Sequence, residues 1–231
     1  MIDSLQVSVV IPVFNEELVL HEFYPRLKKE AESWGKSYEI LFVDDGSTDN
    51  SLELICKWKK VDSNIRVIKF TRNFGQQAAV LAGFRESRGN IVVQIDSDLQ
   101  NPPEEIKRLL DAFTDEIDLV VTTPRKRRDS SLRIIGSKAL HFLAQALFGN
   151  RFKLNLSSFR AMRRSVIEKI DQCQDRSRYM AVLMSWMAVP TVNVEVDHHS
   201  RKIGQTKYGV LPLLRLPWDL IPGFSNFPLR L

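Results

Sequence analysis

An apolar run that ends in two carboxylates, VVQIDSDLQNPPEE at residues 92–105, sets Asp96 and Asp98 one residue apart at the tip of a strand and closes the turn with Pro102 and Pro103. Charge at the end of a buried strand is costly unless something positive meets it. Paired hard oxygens suit a divalent cation whose remaining positions are filled by phosphate oxygens or water. The same residues allow a plainer reading, in which Asp98 caps the helix that the prolines open. His198 and His199 also invite a metal reading, but neighbours in a strand point to opposite faces and do not readily share one ion. Structural or supporting roles suit them better.

Such acids need a scaffold that delivers them to one place. Apolar runs at VSVVIPVF (7–14), YEILFVDD (38–45), IRVIKF (65–70), NIVVQID (90–96) and DLVVTT (118–123) predict five strands. Between them, Leu20, Phe23, Leu27, Ala31 and Trp34 recur at spacings of three and four, as do Leu52, Ile55 and Trp58; further helices are predicted over 76–88 and 104–113. Strands separated by helices imply an α/β fold with a doubly wound, mostly parallel, Rossmann-like sheet. Ligands bind beyond the carboxyl ends of such strands. There the polar clusters fall: Asn15 and Glu16, then Asp44 to Ser47, Arg72 to Gly75, Asp96 to Asp98, and Arg125. One such cluster is ordinary loop polarity, but five on one edge point to a site. The second half is less regular. A basic segment, PRKRRDSSLR (124–133), leads to a helix through Phe148, a strand at FRAM (159–162), helices over 164–171 and 178–188, and an alternating strand, TVNVEVDHH (191–199).

Composition narrows the function. A chain of 231 residues with 44% hydrophobic residues can bury a full core. Lys and Arg outnumber Asp and Glu by 33 to 28, an excess compatible with nucleic acid, a membrane surface or a phosphorylated ligand. No aromatic platform or recognition motif accompanies the basic patch, which disfavours nucleic acid. The first strand runs into PVFNEE, without a glycine-rich phosphate turn, and no GKS or GKT follows, so dinucleotide and P-loop readings fail. Cys56 and Cys173, far apart, make no disulfide framework. With no basic leader before the first strand, the expectation is a protein on the cytosolic side.

Taken in order, VVIPVFNEE, FVDDGSTDNS, TRNFGQQAAVLAGF, VQIDSDLQNPPEE and HHSRKIGQTKYG resemble the family 2 glycosyltransferases of the GT-A fold, and more narrowly the polyprenyl-phosphate glycosyltransferases. The resemblance spans essentially the whole chain, and the bacterial undecaprenyl-phosphate branch is nearest. It implies inverting transfer of a sugar from a nucleotide sugar, a UDP-sugar by branch, to a polyprenyl phosphate. The nucleoside would meet Pro12, Phe14, Glu16, Val43, Asp44 and Asp45. Asp96 and Asp98 would hold Mg²⁺ or Mn²⁺, with Ser97 and Gln100 lining the same site. Arg125, Arg201 and Lys207 would face the donor diphosphate, and Arg133 and Ser137 the acceptor phosphate. The alternative within the fold is transfer to a soluble or polysaccharide acceptor, for which no carboxylate base stands out in the second half.

Two departures qualify the resemblance. Many relatives carry an acid just before the FR of a DFRLM-like segment, where this chain has Ser158 in LSSFRAM. Close relatives also continue into transmembrane helices past a PLR-like sequence, whereas this chain stops at PLRL. The expected organisation is a GT-A domain over 1–207 and an apolar tail over 208–231. The tail either lies at a membrane interface with Trp218 and Phe224 at headgroup level or packs on the domain. The expected location is the cytoplasmic face of the inner or plasma membrane, and a homo-oligomer is compatible with the chain.

Overall fold

Val7–Val13 (β1) and Tyr38–Asp44 (β2) are buried almost from end to end, as expected of central parallel strands covered on both faces. In the computed structural model, which describes residues 5–125, 157–173 and 180–199, helices supply those covers. Val7, Val9, Ile11 and Val13 join Ile40 and Phe42 in one core with Glu17–Glu32 (α1) and Ser51–Lys59 (α2). The stripe predicted on α1, from Leu20 to Trp34, is wholly buried in it. On the opposite face Gln76–Glu86 (α3) lies so close that a side chain at Gly83 would collide with Val10 and crowd Val43. Any Cβ there forces helix and sheet apart.

The remaining strands among the described residues are Ile65–Lys69 (β3), Ile91–Gln94 (β4), Leu119–Pro124 (β5), Arg160–Arg163 (β6) and Thr191–Val196 (β7). They complete a seven-stranded sheet in the order β3-β2-β1-β4-β6-β5-β7. Every pairing is parallel except those of β6, which runs antiparallel between β4 and β5. The doubly wound, mostly parallel expectation therefore holds. A short 3-10 turn at Pro103–Glu105 opens Ile106–Asp111 (α4). Arg164–Gln172 (α5) follows β6 and buries Val166, Ile167 and Ile170.

Register decides what meets at the functional edge. Val13 pairs with Asp44, Val10 with Gln94, Gln94 with Arg160, and Pro124 with Val196. The chain divides into two compact units: Met1–Lys126, Ser157–Asp171 and Val189–Ile203 form the first, which holds the sheet, and Arg127–Leu156, Gln172–Ala188 and Gly204–Leu231 the second. Met180–Trp186 (α6) belongs to the second. The helix predicted through Phe148 and the tail over 208–231 lie outside the described residues.

Candidate active site

Two loops at the carboxyl edge are latched to each other. Asn15 adopts φ 53°, a left-handed conformation that asparagine tolerates. Its side-chain oxygen accepts from the Thr48 amide at 2.8 Å. Return bonds run from the amides of Asn15, Glu16 and Glu17 to Ser47 Oγ, Ser51 Oγ and Asp49 Oδ2 at 3.1, 2.9 and 3.1 Å. Much of the polar wording of FNEE and GSTDNS thus ties β1–α1 to β2–α2. Pro12 and Val43 sit side by side in register inside the sheet, and Val43 is fully buried. Their side chains belong to the core, which leaves main-chain groups to offer a ligand. Phe14 and Glu16 lie at the rim, partly exposed.

The tandem acids after β2 divide their work. Asp45 takes the amides of Phe74 and Gly75 at 2.7 and 2.9 Å, one on each oxygen. Burial raises its pKa against the pull of those two bonds. Gly46 lets the loops touch: at φ 72° it brings its backbone so near Arg72 that an added Cβ would lie 2.5 Å from the Arg72 carbonyl carbon. Asp44 is fully buried; its Oδ2 accepts from the Ser47 amide at 3.2 Å, and its Oδ1 has no hydrogen-bond partner among the described residues.

Beyond β4 stands the acid pair. Asp96 accepts from Gln76 Nε2 at 2.6 Å on Oδ1 and from Ser158 Oγ at 2.5 Å on Oδ2. Gln76 opens α3, and Ser158 precedes β6. Burial pushes the Asp96 carboxyl up to about 6, and Asp98 pushes the same way; Ser158, the Arg160 guanidinium and Gln76 pull it back. Arg160 lies on β6 and is almost wholly buried, and burial lowers its pKa to about 10 despite Asp96. Asp98 turns onto its own loop, its Oδ1 accepting from the Gln100 amide at 3.1 Å. It does not cap the following helix, whose N-cap makes no side-chain hydrogen bond. Ser97 is buried, and Leu99 takes φ 59°.

The far edge ties into this loop. The His199 amide donates to the Gln100 carbonyl at 2.8 Å, and His198 Nδ1 lies 3.4 Å from Asn101 Oδ1. Arg125 sits beside β7, its amide on the Val196 carbonyl and its guanidinium 3.3 Å from Asp197. Arg133, Ser137, Arg201 and Lys207 lie outside the described residues. Reading the sequence alone overlooked Gln76 and Arg160 and gave Ser158 no partner. The single arginine in the predicted run FRAM was the available signal for Arg160.

These residues fit a hard divalent cation. Asp96 and Asp98 repel each other, and each carboxylate oxygen that accepts one hydrogen bond keeps a second lone pair. Among the described residues no group of three or more His, Cys, Asp or Glu could hold a metal unaided. Two carboxylates with the rest of the shell supplied by ligand oxygens or water is a magnesium-like arrangement.

The family model for glycosyl transferase family 2 matches residues 8–171. The chain is 40% identical over 227 residues to the undecaprenyl-phosphate 4-deoxy-4-formamido-L-arabinose transferase of Salmonella paratyphi B, an alignment covering 98% of this chain and 69% of that relative. Among solved structures, a mannosyltransferase from Pyrobaculum calidifontis, in complex with GDP-Man and Mn²⁺, aligns with TM-score 0.66 at 17% identity over 95% of this chain and 63% of its own. Glucosyl-3-phosphoglycerate synthase from Mycobacterium tuberculosis, in complex with UDP, aligns with TM-score 0.60 at 21% identity over 94% and 79%. At such identities the structural likeness establishes the fold, which is of GT-A type.

Proposed function

The chain belongs to glycosyltransferase family 2, and from that membership we propose that it moves a sugar from a UDP-sugar to a polyprenyl phosphate such as undecaprenyl phosphate, inverting the anomeric centre. The observation that carries the reading is likeness to an undecaprenyl-phosphate sugar transferase over 98% of the chain.

A phosphate monoester has its second pKa near 6 and is largely a dianion at pH 7. Its oxygen forms a bond to C1 of the sugar as the bond from C1 to the β-phosphate oxygen breaks, so no protein base is required. The chain's task is alignment and charge placement. Asp96 and Asp98 would hold Mg²⁺ or Mn²⁺, which when bound supplies positive charge to the departing nucleoside diphosphate. The edge built by Pro12, Phe14, Glu16, Val43, Asp44 and Asp45 receives the nucleoside, with Ser97 and Gln100 beside the acid pair. Arg125, Arg201 and Lys207 bind the donor diphosphate, Arg133 and Ser137 the acceptor phosphate; guanidinium forks suit phosphate oxygens. No described helix is long and apolar enough to cross a membrane. We place the enzyme at the cytoplasmic face of the membrane, with residues 1–207 as the catalytic domain and 208–231 at the lipid interface.

The test is product formation from labelled UDP- and GDP-sugars with undecaprenyl phosphate and Mn²⁺ or Mg²⁺, with and without chelator. A metal-dependent, organic-extractable labelled lipid is expected. Label released as free sugar, or found only on a soluble acceptor, overturns the reading.

A further inference from the structure

Three elements far apart in sequence converge on one carboxylate. Gln76 comes from the first turn of α3, Ser158 from the segment entering β6, and Arg160 from β6 itself, where it lies opposite Gln94 two residues before Asp96. Both oxygens of Asp96 are engaged by neutral donors, at 2.6 and 2.5 Å. Among the described residues, the buried Arg160 guanidinium acts on it as a positive group through its field.

We propose that Gln76 and Ser158 are positioning residues that fix the plane of the Asp96 carboxylate for a divalent cation, with buried Arg160 as its counter-charge. The inference rests on reading Asp96 and Asp98 as the metal pair. A free aspartate rotates about two side-chain bonds, and each rotation carries its lone pairs away from any fixed cation. A donor on each oxygen removes that freedom and leaves one lone pair per oxygen to give. Neutral donors suit this task, because an ammonium or guanidinium bonded directly to Asp96 would compete with the cation for the same charge. Groups that orient metal ligands in this way contribute about 10- to 100-fold to metal affinity.

Gln76 also joins two parts of the site. The preceding amide, that of Gly75, is held by Asp45 at 2.9 Å, so one turn of chain connects the acid after β2 to the acid after β4. A ligand that moves the Arg72–Gly75 loop therefore moves a support of the metal carboxylate.

The experiment is Mn²⁺ titration of the full chain, followed by loss of the free-ion EPR signal, alone and with UDP present. The series is the parent chain, Ser158→Ala, Gln76→Leu, Ser158→Thr and Asp98→Asn, each with its melting temperature recorded. Ser158→Ala and Gln76→Leu are expected to weaken Mn²⁺ binding about 10-fold or more, and Ser158→Thr, which keeps the hydroxyl, to restore it to within about 3-fold. Asp98→Asn is expected to lose binding. Should Asp98→Asn lose binding while Ser158→Ala and Gln76→Leu keep the parent affinity, the positioning role is wrong and the metal pair stands. Should Asp98→Asn bind like the parent, or the parent bind no Mn²⁺ in either condition, the metal reading falls and this inference with it. A variant that loses affinity only together with its fold is judged by the other donor variant and by Ser158→Thr.

Discussion

Glu39 and Asp96 lie near opposite ends of the same sheet, and their surroundings show how differently one fold treats two acids. Glu39, at the amino end of β2, is 4% exposed and fully answered. Its Oε1 accepts from Ser8 Oγ at 2.6 Å and from the Arg88 amide at 2.7 Å, and its Oε2 meets the Arg66 guanidinium at 2.9 Å. Among the described residues Asp96 receives two neutral donors, faces a second acid, and has a positive group buried on a neighbouring strand. A paired buried charge is costly to break but offers little to a ligand. An acid left short of cations at an edge is costly to keep and ready for one. The amino edge fastens its acid with a direct charge pair, whereas at the carboxyl edge the loops are latched around Asp96 by neutral donors.

The largest expected effect tests the carboxyl edge. Asp98→Ala should lower turnover by about 10³-fold or more, as expected for loss of a group that organises transition-state charge, with a melting temperature within about 3 °C of the parent. Retained activity breaks the contrast at once.

Glu39→Gln should do the reverse, lowering stability by about 1–3 kcal/mol in urea unfolding, because the cluster of Ser8, Arg88 and Arg66 loses its buried carboxylate and Arg66 is left with Glu86. The folded fraction should keep its activity. Loss of activity without loss of stability would mean that the amino edge is not merely structural.

Gly46→Ala sits between these cases. Its φ of 72° and the approach of Arg72 make any Cβ strained. A stability loss of about 1–3 kcal/mol is expected, together with a raised KM for the nucleotide sugar, since the loop that Asp45 holds is displaced.

The smallest effect concerns pH. In the folded chain the Asp96 carboxyl holds its proton up to about pH 6, whereas the ordinary value is 3.8. Between those values the folded state binds more protons than the unfolded one, so metal-free protein loses stability on this account as pH rises through the window. Asp96→Asn should flatten that slope and raise the metal-free melting temperature at pH 7.5 by about 2–4 °C. Scanning parent and variant at pH 5 and 7.5 checks it, and equal slopes refute the assignment.

Sequence periodicity carried most of the framework. β1, β2 and the buried stripe of α1 were legible because apolar runs and three-four spacings report burial directly, one residue at a time. The direction of β6 was not. FRAM reads as a short strand whichever way it runs, and only its pairing with β4 and β5 makes it antiparallel. The same limit applied at the site. Asp96 and Asp98 declared themselves by lying one residue apart, and the family resemblance gave them a role. Gln76 and Ser158 stand 20 and 62 residues from Asp96, and no local pattern marks a hydrogen bond across such a distance. Asp45, proposed at the nucleoside, is a further case: its bonds to the amides of Phe74 and Gly75 span 29 and 30 residues, and no local pattern marks them.

The reversed strand has a consequence for the order in which the molecule is made. When β4 leaves the ribosome, its inner side can zip onto β1 at once, but its outer side has no partner until Arg160–Arg163 is synthesised. β5 emerges in between and cannot reach β4, because its place lies one strand further out. For that interval the nascent chain presents the open edge of β4 together with the apolar β5, the kind of surface that invites pairing with another chain. Slower translation just after β5 prolongs this exposure, and faster delivery of β6 ends it. Synonymous codon changes between β5 and β6 are therefore expected to alter soluble yield while leaving every residue of the product unchanged.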